Sequence, residues 1–230
     1  MVNIKGSTVL VTGGQRGLGK AIVDELLRRD AAKVYATARA PKPSEDPRVV
    51  SVALEVTNAD SVAALAVMAA DTNIVINNAG TSGALNLLDS DIEEIHAVFE
   101  TNYFGALRVG KAFAPVLAHN GGGALVNIHS VASWLGGMGG YGDSKAAIWA
   151  ASNSLRIELE TQSTLVTGVH VGYLDTEMFT HIDAPKNDRR QIAREIVDGI
   201  ERGDTEVLAD EVSRHVKSVL SGPVEALQMR

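Results

Sequence analysis

Cysteine is absent from the 230 residues of this chain. Disulfides and thiolate metal sites are therefore excluded, and a reducing compartment fits the composition. Aromatic residues are scarce, at 4%. The core has to be built from small aliphatic side chains, which suit close packing of helices on a sheet. No run of lysine or arginine forms a basic stripe, and the formal net charge is −7. Nucleic acid is therefore not an expected partner. Long apolar runs are missing as well. The first, STVLV at 7–11, is too short for the core of a signal peptide and far short of the ~20 residues that cross a bilayer. A cytoplasmic protein without a membrane partner is expected. No fixed-period repeat and no low-complexity tract is found.

What is present is an alternation. Hydrophobic residues make up 45% of the chain, enough for a substantial core. Short apolar runs at 7–11, 33–38, 49–54, 73–78, 124–129, 165–171 and 206–210 read as strands. Helical patterns fall between them. Leu18, Ile22 and Leu26 mark one face of the first. Further helices are expected over about 60–70, 91–117, 141–160 and 189–202, and a last one reaches Leu220. Pro115 is expected near the end of the long third pattern. This order implies an α/β fold with a mostly parallel, doubly wound sheet. No stretch resembles a linker, so residues 1–230 are read as a single domain.

Between the first strand and first helix lies TGGQRGLG, residues 12–19. Glycines at 13, 17 and 19 let the backbone turn sharply and approach a ligand closely. The helix start offers free N–H groups and the positive end of its dipole to a phosphate. A dinucleotide is expected, with Gly13, Gln15, Arg16, Gly17, Leu18 and Gly19 around it. An acid about 20 residues further on would select NAD. That region reads Thr37-Ala38-Arg39, with no acid. Arg39 and Arg16 suit a 2′-phosphate instead, since guanidinium pairs bidentately with phosphate, and NADP(H) is the expected cofactor.

YGDSK at 141–145 places Tyr141 and Lys145 one helical turn apart. An ammonium beside a phenol favours the phenolate and should lower the Tyr141 pKa. NNAG at 77–80, Asn102 in TNYFG and Ser130 in NIHS complete an ordered set. Together these five motifs resemble the short-chain dehydrogenase/reductase family over residues 12–178. The resemblance implies a single-domain Rossmann-type fold with helices on both faces of the sheet. It makes Tyr141 the general acid/base, with Ser130 holding the substrate oxygen. Lys145 would also bind the nicotinamide ribose. Asn102 would bend the long helix and hold a water that links Lys145 to solvent. Asn78, Ala79 and Gly80 would lie along the adenosine, and Thr176 at the nicotinamide carboxamide or phosphate. A homodimer or homotetramer through the fourth and fifth helices is also implied.

Three positions depart from the family pattern. The eleven positions from Ser130 to Tyr141 are fewer than usual, with the shortfall in LGGMGG, and Ser133 is a second candidate for the serine role. The third strand ends Leu54-Glu55-Val56, where Asp is commoner for the adenine contact. His170-Val171-Gly172-Tyr173 lacks the usual proline.

The substrate is expected to be an apolar ketone or aldehyde, or the matching alcohol, lined by Trp134, Leu135, Met138, Tyr173, Leu174, Met178, Phe179 and Ile182. The alternative is that these side chains pack on each other. Two other readings stand beside an NADP(H)-dependent carbonyl reductase. One is an NAD(H)-linked alcohol dehydrogenase, the other a dinucleotide-binding sensor or scaffold without turnover. Degenerate members of the latter kind usually lose Tyr or Lys, and both are present. His96, His119, His129, His170, His181 and His215 show no metal-ligand spacing and read as surface or packing residues.

Overall fold

The computed structural model describes residues 2–176 and 185–228. Seven strands form one sheet: β1 (Thr8–Val11), β2 (Lys33–Ala38), β3 (Val49–Ala53), β4 (Ile74–Asn77), β5 (Ala124–Ile128), β6 (Leu165–His170) and β7 (Glu206–Leu208). All pairs are parallel, in the order β3-β2-β1-β4-β5-β6-β7. The chain runs outward from β1 to β3, then returns to lay β4 beside β1. That reversal opens a crevice beyond the carboxyl ends of β1 and β4, where open α/β sheets bind ligands.

The inner strands are short, apolar and buried on both sides, as parallel strands between helix layers must be, while the edge strands β3 and β7 are partly exposed. Their alternation divides two cores. Val9, Val11, Ile74, Ile76, Val126 and Ile128 face α1 (Gly17–Arg28) and α6 (Arg189–Arg202). Leu10, Val75 and Leu125 face α2 (Ala59–Met68), α4 (Ala106–His119) and α5 (Gly139–Glu158). Helices α1 and α6 are clamped by Arg29, which pairs with Glu25, Asp198 and Glu201 at 2.7, 2.7 and 2.5 Å. Helix α7 (Glu211–Val219) follows β7.

The long pattern expected at 91–117 is not one helix. Helix α3 (Ile92–Phe99) gives way to a π turn at Glu100–Gly105 before α4 begins. Gly105 passes close to β3's trailing loop: a Cβ there would lie 2.8 Å from Val56 Cγ2. Pro115 lies within α4, four residues before its last residue. Helix α5 starts two residues earlier than the sequence pattern suggests. A 3-10 turn at Val224–Leu227, not foreseen from the sequence, brings Gln228 into a bridge with Gly136. No helix among the described residues is long and apolar enough to cross a membrane.

Candidate active site

The glycine loop joins β1 to α1. Gly13 and Gly17 have φ of +64° and +53°, backbone that side-chain-bearing residues avoid. Gly19 is fixed by space: a Cβ would stand 2.2 Å from Gly13 O. Thr12 welds this loop to the end of β4. Its Oγ1 accepts from the main-chain N–H of both Asn78 and Ala79, at 3.0 and 2.9 Å. Asn78 Nδ2 returns bonds to the carbonyls of Thr12 and Gly13. The backbone at 78–80 is thus set against the glycine loop, with its amides committed to shape. Thr176 closes the other side, its Cγ2 3.5 Å from where a Cβ of Gly17 would be.

Several expected cofactor residues have structural work of their own. Leu18 is buried in the core beneath α1. The Gln15 amide donates to Lys42 O (2.8 Å) and Ser51 Oγ (3.0 Å), and accepts from Lys42 N–H (2.8 Å). It ties the glycine loop to the segment after β2. Arg16 and Arg39 are both exposed at the edges of that junction. Glu55 folds its longer side chain back to accept from Thr57 N–H at 3.2 Å, and Val56 is buried against Gly105.

Asn102 sits in the π turn. Its Oδ1 accepts from Thr81 N–H (2.9 Å), and its Nδ2 donates to Thr81 O (3.0 Å) and Ser144 Oγ (3.0 Å). Ser144 in turn donates to Tyr141 O at 2.7 Å. One side chain therefore links the loop after β4 to the first turns of α5. That turn is where Tyr141 and Lys145 stand, both buried.

Lys145 Nζ donates to Ile128 O (2.9 Å) and lies 6.0 Å from the centre of the Tyr141 ring. Burial pushes the Tyr141 pKa up to about 12, outweighing the nearby Ser130, which favours the phenolate. Burial pulls Lys145 down to about 8. The sequence-based expectation that Lys145 would lower the Tyr141 pKa is not met. Both groups share a dry pocket, and desolvation of the phenolate is the largest effect there. At neutral pH the phenol keeps its proton.

Ser130 is the N-cap of a short 3-10 turn, its Oγ accepting from Ala132 N–H at 3.1 Å and donating to Val171 O at 3.4 Å. Ser133 turns away, donating to Lys145 O at 3.1 Å. The short loop between Ser130 and Tyr141 is absorbed at Gly139. With φ at +52°, Gly139 packs against the loop after β4, where a Cβ would meet Ala84 O at 2.3 Å.

The expected substrate segments divide. Leu135, Met138 and Tyr173 are half-buried, and Tyr173 is close enough to Tyr141 to raise its pKa. Trp134 does not face open space: it stacks on the His170 ring (centroids 3.7 Å, 17°) and meets Trp149 edge-on. Leu174 joins the core beside α6. Met178, Phe179 and Ile182 lie outside the described residues. A cavity of about 180 Å³ is lined by His129, His170, Trp149, Arg156 and Glu206 rather than by Tyr141.

A family model described as short chain dehydrogenase matches residues 7–187. The chain belongs to the short-chain dehydrogenase/reductase family. A short chain dehydrogenase from Burkholderia cenocepacia J2315, solved in complex with NADP, is 36% identical with a TM-score of 0.92, covering 98% of this chain and 97% of that one. The 3-oxoacyl-[acyl-carrier-protein] reductase FabG of Vibrio cholerae is 31% identical over 189 residues, 77% of either chain. The NADPH-dependent 1-acyldihydroxyacetone phosphate reductase of Schizosaccharomyces pombe is 32% identical over 181 residues, 74% of this chain and 60% of that protein.

As a short-chain dehydrogenase/reductase, this oxidoreductase holds its Ser, Tyr and Lys at the carboxyl side of β5 and the start of α5. Residues that the sequence reading passed over are the ones that brace them. Thr12 and Thr37, whose Oγ1 accepts from Gly13 N–H at 3.3 Å, shape the glycine loop. Thr81 and Ser144 carry Asn102's effect to α5. Thr12 and Ser144 stand inside quoted motifs, so a signal existed; Thr81 carries none.

Proposed function

We propose that this short-chain dehydrogenase/reductase interconverts an apolar ketone or aldehyde and the corresponding alcohol with NADP(H). The observation that carries the reading is the buried Tyr141 phenol, its ring 6.0 Å from the Lys145 ammonium at the start of α5. The residues present fit a dinucleotide: the glycine loop leaves no room for side chains where phosphate would approach the start of α1. The cofactor, when bound, supplies or takes the hydride. Tyr141, still protonated at neutral pH, gives its proton to the carbonyl oxygen in reduction and recovers it in oxidation. Ser130 holds that oxygen within reach of the phenol. Lys145 holds the nicotinamide ribose.

NADP(H) is favoured by Arg16 and Arg39, exposed where the glycine loop meets the end of β2, and by the NADP and NADPH of the Burkholderia and Schizosaccharomyces proteins. Arg39→Ala is expected to raise the Kd for NADPH roughly tenfold to a hundredfold, since a charge-assisted hydrogen bond contributes ~1.5–3 kcal/mol. Arg16→Ala should act likewise, with NADH binding left unchanged in both. Equal losses for the two cofactors in fluorescence titrations would mean that neither arginine reads the 2′-phosphate.

Half-buried Leu135, Met138 and Tyr173 support an apolar substrate. A ketone panel followed by cofactor absorbance tests this. kcat/KM should rise with chain length, by up to ~0.8 kcal/mol for each methylene buried, and exceed that for small keto acids. Preference for a keto acid or a sugar would refute the pocket and leave Tyr141's role standing. A homodimer or homotetramer through α4 and α5 is consistent with exposed apolar side chains there, Phe104 in the turn that leads into α4 (44%) and Ile157 in α5 (75%).

A further inference from the structure

A file of polar side chains runs beneath Ser130, and the proposed reaction uses none of them. Asn77 Nδ2 donates to Asn127 Oδ1 at 2.9 Å, and Asn127 Nδ2 to Ser152 Oγ at 2.9 Å. Ser152 Oγ stands 2.9 Å from His129 Nε2. His129 Nδ1 stands 3.2 Å from His170 Nε2, and His170 Nδ1 3.2 Å from the main-chain oxygen of Ser130. All five side chains are buried.

Their protons follow by elimination. A carbonyl oxygen only accepts, so His170 Nδ1 carries a hydrogen. A neutral imidazole has one N–H, so His170 Nε2 is bare and accepts from His129 Nδ1–H. His129 Nε2 is then bare in turn, and the Ser152 hydroxyl must supply the hydrogen. That hydroxyl also lies 2.8 Å from Ile148 O, but its single hydrogen cannot serve both. Every bond in the file then points toward Ser130. The reverse assignment sets a bare His170 Nδ1 against Ser130 O, two buried acceptors face to face at 3.2 Å, which is costly.

A doubly protonated His170 would escape this logic, but burial opposes it. His129 is held well below the ordinary histidine range, and His170 at about 3, with Lys145 and Lys217 adding repulsion. The nearby carboxylate, Glu206, is 3.9 Å from His170 Nε2 and is paired with Lys217 at 2.8 Å. Trp134, stacked on His170, restrains the ring from turning over.

We propose that His129 and His170 are positioning residues for Ser130, locked as Nδ1–H tautomers in a one-way file of hydrogen bonds that ends on the Ser130 carbonyl and fixes the serine toward Tyr141. The inference rests on the catalytic reading of Ser130 and Tyr141. Ser130 is gripped at both ends by the same stretch of chain. Its carbonyl takes the His170 ring, and its hydroxyl donates to the carbonyl of Val171.

Two measurements test it. In ring 15N–1H spectra of the wild-type chain at neutral pH, both histidines should carry the hydrogen on Nδ1 and show a bare Nε2. A hydrogen on His170 Nε2 overturns the proposal, whatever the activity. The second measurement compares replacements at one position. Asn places its amide nitrogen where the histidine has Nδ1, whereas Leu has no donor and Gln carries its amide one atom further out. His170→Leu and His170→Gln should each lower kcat roughly tenfold, the order expected when a buried carbonyl loses one of its two donors and keeps only the Ser133 N–H at 3.0 Å. The Kd for NADPH should not move, and His170→Asn should restore most of kcat. If Asn falls as far as Leu, Ser130 is not being positioned by this donor. Should the variants fail to fold, the wild-type spectra still decide. If the tautomers are as stated but Tyr141→Phe stays active, the catalytic reading fails and the hydrogen-bond file stands.

Discussion

Tyr141→Phe is expected to remove turnover almost completely while leaving the dinucleotide affinity unchanged. The ring is buried, and Phe keeps its shape and packing. Only the hydroxyl is lost, and with it the proton that the carbonyl oxygen needs as hydride arrives. A positioned proton donor contributes ~10²–10⁴-fold to rate, so kcat should fall by at least about a hundredfold. The structure sharpens this expectation. Burial holds the phenol's pKa at about 12, and two neighbouring groups are committed elsewhere: Ser133 to Lys145 O and Lys145 to Ile128 O. The measurement is NADPH oxidation with the best ketone, beside fluorescence titration of NADPH and a thermal melt. A folded variant that retains more than a tenth of kcat would defeat the mechanism. Weakened NADPH binding would show instead that the hydroxyl serves the cofactor.

The inner strands were legible because each is a short apolar run buried on both faces, and such runs have few other uses. The glycine loop was legible because its residues answer to backbone space, as Gly19 against Gly13 O shows. Asn102's surroundings were not. A π turn costs only one shifted hydrogen bond in an otherwise helical pattern, so the periodicity of 91–117 barely registers it. The histidine pair was also out of reach. His129 and His170 lie forty-one positions apart and meet only because β5 and β6 are neighbours in register, Ile128 opposite Val169. Read singly, each was a packing residue, which is correct about burial and silent about direction. Trp134 misled for a related reason. An aromatic after the serine suggests a substrate wall, but its flat face covers His170 instead.

The same two histidines should make the protein acid-labile in a defined window. An unfolded histidine titrates near ~6.5, whereas both native rings resist protonation to far lower pH because they are buried. Between those limits the unfolded chain binds protons that the native chain does not. Stability therefore rises with pH across the window. It is fully present above ~6.5 and is lost as pH falls toward 3. His170 alone contributes about 1.4 kcal/mol per pH unit across this window, so descent from pH 6.5 to 4.5 should cost on the order of 2–3 kcal/mol, with His129 adding in the same direction, a large share of the margin of many domains. Glu25 and Asp71, held below their ordinary values by Arg28, Arg29 and Lys33, act in the same direction but mainly below the carboxylate range. Denaturant melts at half-unit pH steps separate the two sources. In a His129→Gln, His170→Asn double variant the carboxylates remain, so only the steep fall between pH 6.5 and 4.5 should disappear. Parallel curves for the variant and the wild type would mean that the buried rings take up protons in the native state, and the tautomers assigned to the file beneath Ser130 would fall with them.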